Sequence, residues 1–113
     1  MSGEELASRR CKPCDAGTPP LRGEQARQLL ERIGVQWDLV DDHHLSARFK
    51  FDDFAGALAF TNHVGAVADQ EGHHPEVCLT WGSATVRIWT HAIDGLSDND
   101  FILAAKIDQL YRG

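Results

Sequence analysis

Two alternating runs flank a glycine in the segment 76-EVCLTWGSATVRIWTH-91. Residues 76–81 and residues 84–91 alternate apolar with polar side chains, which is typical of β-strands with one buried face. Gly82 and Ser83 between them suit a two-residue hairpin turn. The segment therefore predicts an antiparallel hairpin whose second strand ends at His91. The polar face of that strand carries Thr85, Arg87, Trp89 and His91.

A second hairpin is predicted earlier in the chain. Residues 35–40 and residues 45–51 alternate in the same way. The polar residues 41–44, Asp-Asp-His-His, separate the two runs and suit a turn. The two hairpins together supply four antiparallel strands, each with one apolar side.

Three helices are predicted around these strands. Apolar residues recur at helical spacing over residues 22–33 and again along a longer segment that ends near Gly72. Asp52 or Asp53 suits the start of the longer helix, because its carboxylate can accept from unpaired backbone amides. A last helix begins at Ser97. The predicted order is therefore α-β-β-α-β-β-α.

The economical arrangement of these elements is an α+β fold, with one four-stranded antiparallel sheet and helices packed on one face. The length of 113 residues suits one domain, which we place at residues 21–113. Residues 1–20 are polar and end in two prolines, so we expect a flexible N-terminal arm there. The open edges of the sheet, with Trp81 and Trp89 near the last hairpin, predict a homo-oligomer.

Charge and composition exclude several classes of partner. The chain has 11 Lys and Arg against 17 Asp and Glu, a formal net charge of −6, which argues against binding nucleic acid through a basic face. No apolar run approaches the ~20 residues of a membrane-spanning helix. The N-terminus lacks a basic start followed by an apolar stretch. We therefore expect a cytoplasmic protein that binds neither nucleic acid nor membrane.

The three cysteines point to no clear chemistry. Cys11 and Cys14 form the C-x-x-C motif, which could be half of a zinc site or a redox pair. No second C-x-x-C and no H-x3-H follows to complete a zinc site, and no strand precedes the motif as in a thioredoxin-like protein. We interpret the pair as incidental and reduced, and Cys78 as a small buried side chain.

Three histidines are predicted to meet at one end of the sheet. His73 and His74 follow the end of the long helix, and Pro75 favours extended backbone at His74. His91 lies at the end of the fourth strand, which the hairpin brings back beside them. Imidazole is suited to proton transfer near neutral pH. The same residues could instead bind zinc, although no further ligand is spaced for it, or be unrelated surface histidines.

The pattern Asp69-x3-His73-His74-Pro75-x5-Trp81-x9-His91-x8-Asp100 resembles the signature of the pterin-4a-carbinolamine dehydratase family. The resemblance covers about residues 20–110 and leaves the arm outside. It implies a lyase that removes water from a 4a-hydroxytetrahydropterin to give the quinonoid dihydropterin. Such an enzyme recycles the cofactor of aromatic amino-acid hydroxylases, which would be a functional partner. The pterin is the substrate, and the resemblance implies no further cofactor and no metal.

The resemblance also implies roles for particular residues. The catalytic candidates are His73, His74 and His91, acting as general acid and base without an assignment between them. The substrate contacts that it implies are Gly72, His73, His74, Trp89, Thr90, His91 and Ala92. Supporting positions are Asp69, Pro75, Trp81 and Asp100.

Two of these supporting positions have a structural alternative. Asp69 could orient a histidine or be a solvated charge at a helix end. Asp100 could instead form a capping box with Ser97 at the start of the last helix. The remaining histidines, which lack matching positions, are interpreted as surface or packing residues; they are His43, His44 and His63.

The assembly and the biological context stay open at the level of sequence. We expect a homodimer or a homotetramer. A non-catalytic partner protein, such as a dimerisation cofactor or an assembly module, is the alternative function on the same fold. The sequence does not identify the side chain of the natural pterin.

Overall fold

The two hairpins pair through their inner strands into one four-stranded antiparallel sheet, in a computed structural model that describes residues 3–112. The strand order is β1-β2-β4-β3. Leu45 lies opposite Ile88 and Phe49 opposite Ala84 across the central pair of strands. The predicted α+β fold is thereby confirmed. The strands are β1 (Trp37–Val40), β2 (His44–Lys50), β3 (Glu76–Thr80) and β4 (Ser83–Ile88).

The helices cover one face of this sheet. The long helix α3 contacts β3 and β4, and α4 packs beside α3. The face of the sheet beneath them supplies the fully buried Leu45, Phe49, Val86 and Ile88 to the core, where Phe101 and Ile107 of α4 join them. The helices are α1 (Gly3–Ala7), α2 (Glu24–Leu30), α3 (Phe54–Glu71) and α4 (Asp98–Arg112), with a 3-10 turn at His91–Ile93. Among the described residues no helix is long and apolar enough to cross a membrane.

Both ends of α3 follow the sequence signals. The side chain of Asp53 accepts a 2.7 Å hydrogen bond from the Gly56 amide and so caps the first turn. Gly72 ends the helix in the left-handed conformation, with a φ of 64°. The His73 amide then donates back to the Ala68 carbonyl over 3.2 Å, which is the pattern of a Schellman cap. This reversal sets the direction in which His73 leaves the helix.

The last hairpin differs from its prediction at both ends. Thr80 pairs with Ser83, so the two-residue turn is Trp81-Gly82 and the predicted Gly82-Ser83 turn is wrong by one residue. Ser83 is buried, and its hydroxyl lies 2.7 Å from that of Thr80, which keeps it inside the strand. Strand β4 ends at Ile88 and not at His91, because residues 89–91 extend beyond the pairing with both neighbouring strands.

The side of β3 that carries Cys78 also differs from its prediction. Val77 and Leu79 face the helices, since they lie opposite the buried Val86 and Ala84. Cys78 stands between them and therefore points to the open face of the sheet, where it is exposed. The prediction of a buried thiol is wrong for this reason.

The N-terminal segment contains an element that the sequence pattern does not indicate. Helix α1 lies against α4, and the Leu6 side chain is only 1% exposed within the main core. Residues 10–12 then contact the C-terminal end of α3 and the start of α4. The flexibility of residues 1–20 and the boundary at residue 21 stay predictions.

Candidate active site

A cleft of about 310 Å³ opens at the end of the sheet where α3 ends and β4 leads into the 3-10 turn. This volume lies at the lower end of the ~300–1,000 Å³ found for small-molecule sites. The residues predicted as substrate contacts all line it, namely Gly72, His73, His74, Trp89, Thr90, His91 and Ala92. Four residues that sequence reasoning missed complete the lining, and these are Lys12, Pro13, Cys14 and Asn99.

His73 is held by a buried carboxylate. Its Nε2 lies 2.5 Å from Asp100 Oδ1, and the two side chains are 12% and 0% exposed. Because an ionised carboxylate only accepts hydrogen bonds, the Nε2–H of His73 is the donor. The other ring nitrogen, Nδ1, makes no hydrogen bond to a described residue and is available to a ligand.

The second oxygen of Asp100 is also occupied. Oδ2 accepts from the Ser97 amide over 2.8 Å and from the Thr90 hydroxyl over 2.9 Å. The Ser97 contact is one half of a capping box at the start of α4. The two readings of Asp100 are therefore compatible, since one carboxylate both caps the helix and holds the His73 ring.

His74 pairs with a carboxylate in a different environment. Its Nε2 lies 2.9 Å from Asp69 Oδ1, with side chains 62% and 81% exposed. Exposed ion pairs contribute roughly 0–1 kcal/mol, so Asp69 holds His74 far less firmly than Asp100 holds His73. The structure places Asp69 beside a histidine, as one of its two sequence interpretations has it.

His91 lines the same cleft and stacks on an aromatic side chain. Its ring stacks on Trp89, with centroids 4.6 Å apart and planes inclined by 18°. His91 is exposed, and its ring nitrogens make no hydrogen bond to another residue within 3–112. Trp89 restricts the ring without occupying either nitrogen, so both remain able to exchange protons with a ligand or water.

Two histidines outside the motif extend this aromatic group. His43 and His44 lie with ring centroids 5.4 and 5.9 Å from that of Trp89. His43 also bridges to Asp94 over 2.8 Å, and the two histidines meet through their Nδ1 atoms at 3.0 Å. Burial, and then the neighbouring His43, lower the pKa of His44 below its ordinary value. Both rings pack against Trp89 and are absent from the cleft lining.

Trp81 and Pro75 do not line the cleft. Trp81 is 69% exposed in the β3–β4 turn, at the opposite end of that hairpin. Pro75 directly precedes β3 and links His74 to the sheet. The structure therefore brings the three histidines together with Asp69 and Asp100, and it leaves Trp81 remote from them within one chain.

The C-x-x-C motif flanks the site with an unreactive thiol. Burial, reinforced by the charge of Glu71, raises the pKa of Cys11 to about 12, so its reactive thiolate is scarce near neutral pH. Within the described residues, no group of three or more His, Cys, Asp or Glu side chains is arranged to hold a metal ion.

The fold and the cleft define the chain as a small α+β domain with a histidine-lined ligand site. A family model described as Pterin 4 alpha carbinolamine dehydratase matches residues 19–110. The chain therefore belongs to the pterin-4a-carbinolamine dehydratase family.

Individual relatives agree with this membership. Proteins from Alkaliphilus metalliredigens and Rubrobacter xylanophilus carry the provisional name pterin-4-alpha-carbinolamine dehydratase and are 44% and 46% identical to this chain. The first match covers 92% of this chain and 94% of the relative, and the second covers 94% and 98%. A crystal structure named as a transcriptional coactivator/pterin dehydratase from Brucella melitensis superimposes with a TM-score of 0.76 at 26% identity. It covers 81% of this chain and 98% of the other.

Proposed function

We propose that this protein dehydrates a 4a-hydroxytetrahydropterin to the quinonoid dihydropterin. The observation that carries the proposal is a cleft of about 310 Å³ lined by His73 and His74, which follow α3, and by His91, which follows β4. Its size suits a flat bicyclic ring, and its residues suit proton transfer. The names of the relatives at 44–46% identity support the same reaction.

The reaction breaks the bond between C4a and its hydroxyl oxygen and removes the proton on N5. A general acid protonates the departing hydroxyl, which leaves as water. A general base takes the N5 proton as the C4a=N5 double bond forms. The substrate loses only the elements of water, so the reaction involves no net oxidation or reduction. It therefore needs no electron acceptor. General acid–base catalysis of this kind typically contributes about 10²- to 10⁴-fold.

His73 is the base in this proposal. Its Nδ1 is available on the cleft side, whereas its Nε2–H donates to the buried Asp100 carboxylate. A negative charge at that position stabilises the imidazolium that forms when Nδ1 takes a proton, as in Asp–His pairs of hydrolases. Asp100 is then a positioning residue, because it acts on the substrate only through the His73 ring.

His91 is the acid in this proposal. Its ring nitrogens are unengaged by described residues, and its exposure lets it regain a proton from water after each turnover. The stack on Trp89 restricts the plane of the His91 ring, which lines the cleft. His74, which is more exposed and only loosely paired, contributes to binding the pterin together with the backbone of Gly72, Thr90 and Ala92.

Turnover of a synthetic 4a-hydroxytetrahydropterin tests this function. The wild-type protein is expected to accelerate its disappearance, and His73→Ala or His91→Ala to lower kcat by about 10²- to 10⁴-fold. His63→Ala is the matched control, because His63 is exposed on α3 and absent from the cleft lining. No acceleration by the wild type would reject the function. Full activity in both site variants would reject the assigned residues.

Assembly into a homo-oligomer is part of the proposal. Phe54 and Leu58 on α3 and Trp81 in the last hairpin are exposed apolar residues that a second copy could cover. Analytical ultracentrifugation, with Leu58→Ser as the variant, tests this interface. A monomer at micromolar concentration in the wild type would reject it.

A second candidate function is that of a protein partner. The Brucella melitensis relative carries the coactivator name beside the dehydratase name, and the exposed apolar residues of this chain could bind a partner. A partner-only protein would show no pterin turnover while keeping its assembly.

The proposed link to an aromatic amino-acid hydroxylase is tested by whether the protein sustains that enzyme's turnover when pterin is limiting.

A further inference from the structure

Lys12, Pro13 and Cys14 form one wall of the cleft, although they lie outside the segment 19–110 that matches the family. We propose that this N-terminal wall determines substrate specificity and that the Lys12 ammonium binds an anionic group on the side chain of the pterin. The substrate class is then a pterin whose C6 substituent carries a carboxylate or a phosphate. This inference rests on the proposed function and deepens it.

Asn99 fixes the backbone of Lys12 at the cleft. The Lys12 amide donates to Asn99 Oδ1 over 2.9 Å, and Asn99 Nδ2 donates to the Lys12 carbonyl over 2.6 Å. The Asn99 side chain thus forms two hydrogen bonds, one with each backbone polar group of Lys12. Together they set the position and the orientation of the Lys12 backbone. Asn99 is itself buried and stands next to Asp100 at the start of α4. The wall is therefore tied to the element that holds His73.

Glu71 anchors the preceding residue. The Cys11 amide donates to Glu71 Oε1 over 2.8 Å, and Glu71 Oε2 lies 3.7 Å from both Arg10 and Lys106. Burial acts to raise the pKa of Glu71, but the Cys11 hydrogen bond and the two cations outweigh it and lower that pKa. Glu71 is the last residue of α3, immediately before the Gly72 turn. Both anchors of the wall thus come from the helix ends that carry the site.

The charge of the wall suits an anion. Among the described residues that line the cleft, Lys12 is the only Lys or Arg, and none is Asp or Glu. Within residues 3–112, Lys12 makes no ion pair, whereas Lys106 and Arg10 are both committed to Glu71. The bicyclic ring of a pterin offers hydrogen-bonding groups but no fixed negative charge. A complementary anion must therefore come from the substituent at C6.

Equilibrium binding of stable pterins to the full chain tests the inference. The probes are 6-carboxypterin, the phosphate ester of 6-hydroxymethylpterin and neutral 6-hydroxymethylpterin, followed by pterin fluorescence. Because an exposed charge pair is worth only a modest factor, wild type is expected to bind an anionic probe roughly two- to fivefold tighter than the neutral one. The two anionic probes distinguish a carboxylate from a phosphate as the preferred group.

Two variants separate the Lys12 charge from other effects. Lys12→Gln is expected to abolish the preference for the anionic probes, and Lys50→Gln to retain it. Lys50 lies at the end of β2, opposite Ser83 and remote from the cleft. High salt should weaken the preference in the wild type, because it screens an exposed pair. An unchanged preference in Lys12→Gln, or no preference in the wild type, would overturn the inference.

Turnover distinguishes failure of the wall from failure of the function. The measured quantity is the ratio of kcat/KM for anionic and neutral 4a-hydroxytetrahydropterins, which Lys12→Gln should lower roughly two- to fivefold. If the wild type turns over both substrates and the ratio does not change in the variant, the inference fails and the dehydratase function stands. If the wild type turns over neither, the function fails, and the inference that rests on it fails too.

Discussion

Asp100→Asn replaces one carboxylate oxygen by an NH2 group in the most buried part of the site and should remove most of the activity. The amide is almost isosteric with the carboxylate, but it carries two N–H donors and no charge. It can no longer accept the His73 Nε2–H while also accepting from Ser97 and Thr90. Either the His73 tautomer reverses, which places a proton on Nδ1, or a donor in the network loses its acceptor.

The size of the effect follows from these contacts. Loss of the general base is expected to lower kcat by about 10²- to 10⁴-fold. A hydrogen bond to a charged group contributes about 1.5–3 kcal/mol, so the free energy of unfolding should fall by that amount. For a domain of this size, that is a drop in Tm of roughly 5–15 °C. The variant should therefore be folded at 20 °C and catalytically poor.

Asp69→Asn is the matched control. It makes the same chemical change in the other Asp–His pair, which is exposed, so stability should change by less than about 1 kcal/mol. Stopped-flow dehydration assays and thermal unfolding by circular dichroism measure both quantities. If folded Asp100→Asn keeps kcat within about twofold of the wild type, the assignment of His73 as an Asp100-supported base is wrong. Equal losses in the two variants would contradict the argument from burial.

Three further predictions concern the frame around the site. Gly72→Ala should lower the free energy of unfolding by about 1 kcal/mol, because residue 72 has a φ of 64° that alanine tolerates poorly. Thermal unfolding measures this change, and an unchanged stability would contradict the role of Gly72 in the turn. Leu6→Ala should lower the free energy of unfolding, measured in urea, by about 2–5 kcal/mol, because Leu6 is fully buried against α4. A change near zero would show that the N-terminal segment does not pack against α4 in solution. Glu71→Gln should be destabilising at pH 7. The pKa of Glu71 in the folded protein is lowered below its ordinary value of 4.5. The ionised carboxylate therefore stabilises the fold above pH 4.5, and this stabilisation is lost as pH falls through the folded pKa. In unfolding titrations, the difference in free energy of unfolding between wild type and variant should narrow below about pH 4.5.

The local structure was predictable where an unpaired backbone amide or an unusual backbone conformation requires a particular type of residue. Asp53 caps α3 and Gly72 ends it, because a carboxylate and a glycine satisfy requirements that few other residues meet. Alternation located both hairpins for the same reason. Alternation does not fix where a strand ends, however. Residues 89–91 continue the pattern of β4, but their pairing depends on the lengths of the neighbouring strands.

The histidines and the acidic supporting positions of the candidate site were predictable, but the contact between His73 and Asp100 was not. His73, His74 and His91 stand out by type and spacing, and the structure places them around one cleft. The hydrogen bond from His73 to Asp100 joins residues 27 positions apart and depends on how α4 packs against α3. The place of Lys12 in the site was not predictable, because the polar segment around it gives no periodic pattern and its position depends on hydrogen bonds to the distant Asn99.

Nuclear magnetic resonance of the histidine rings gives the most direct test of the central claim, that one cleft binds a pterin between His73 and His91. The protein is labelled with ¹⁵N-histidine and titrated with a stable oxidised pterin, and the six rings are assigned by single substitutions. The ring signals of His73, His74 and His91 should move together with one dissociation constant, with His73 protonated on Nε2, while the signal of His63 stays in place. Saturating pterin that leaves those three rings unmoved, or that moves His63 instead, would contradict the account.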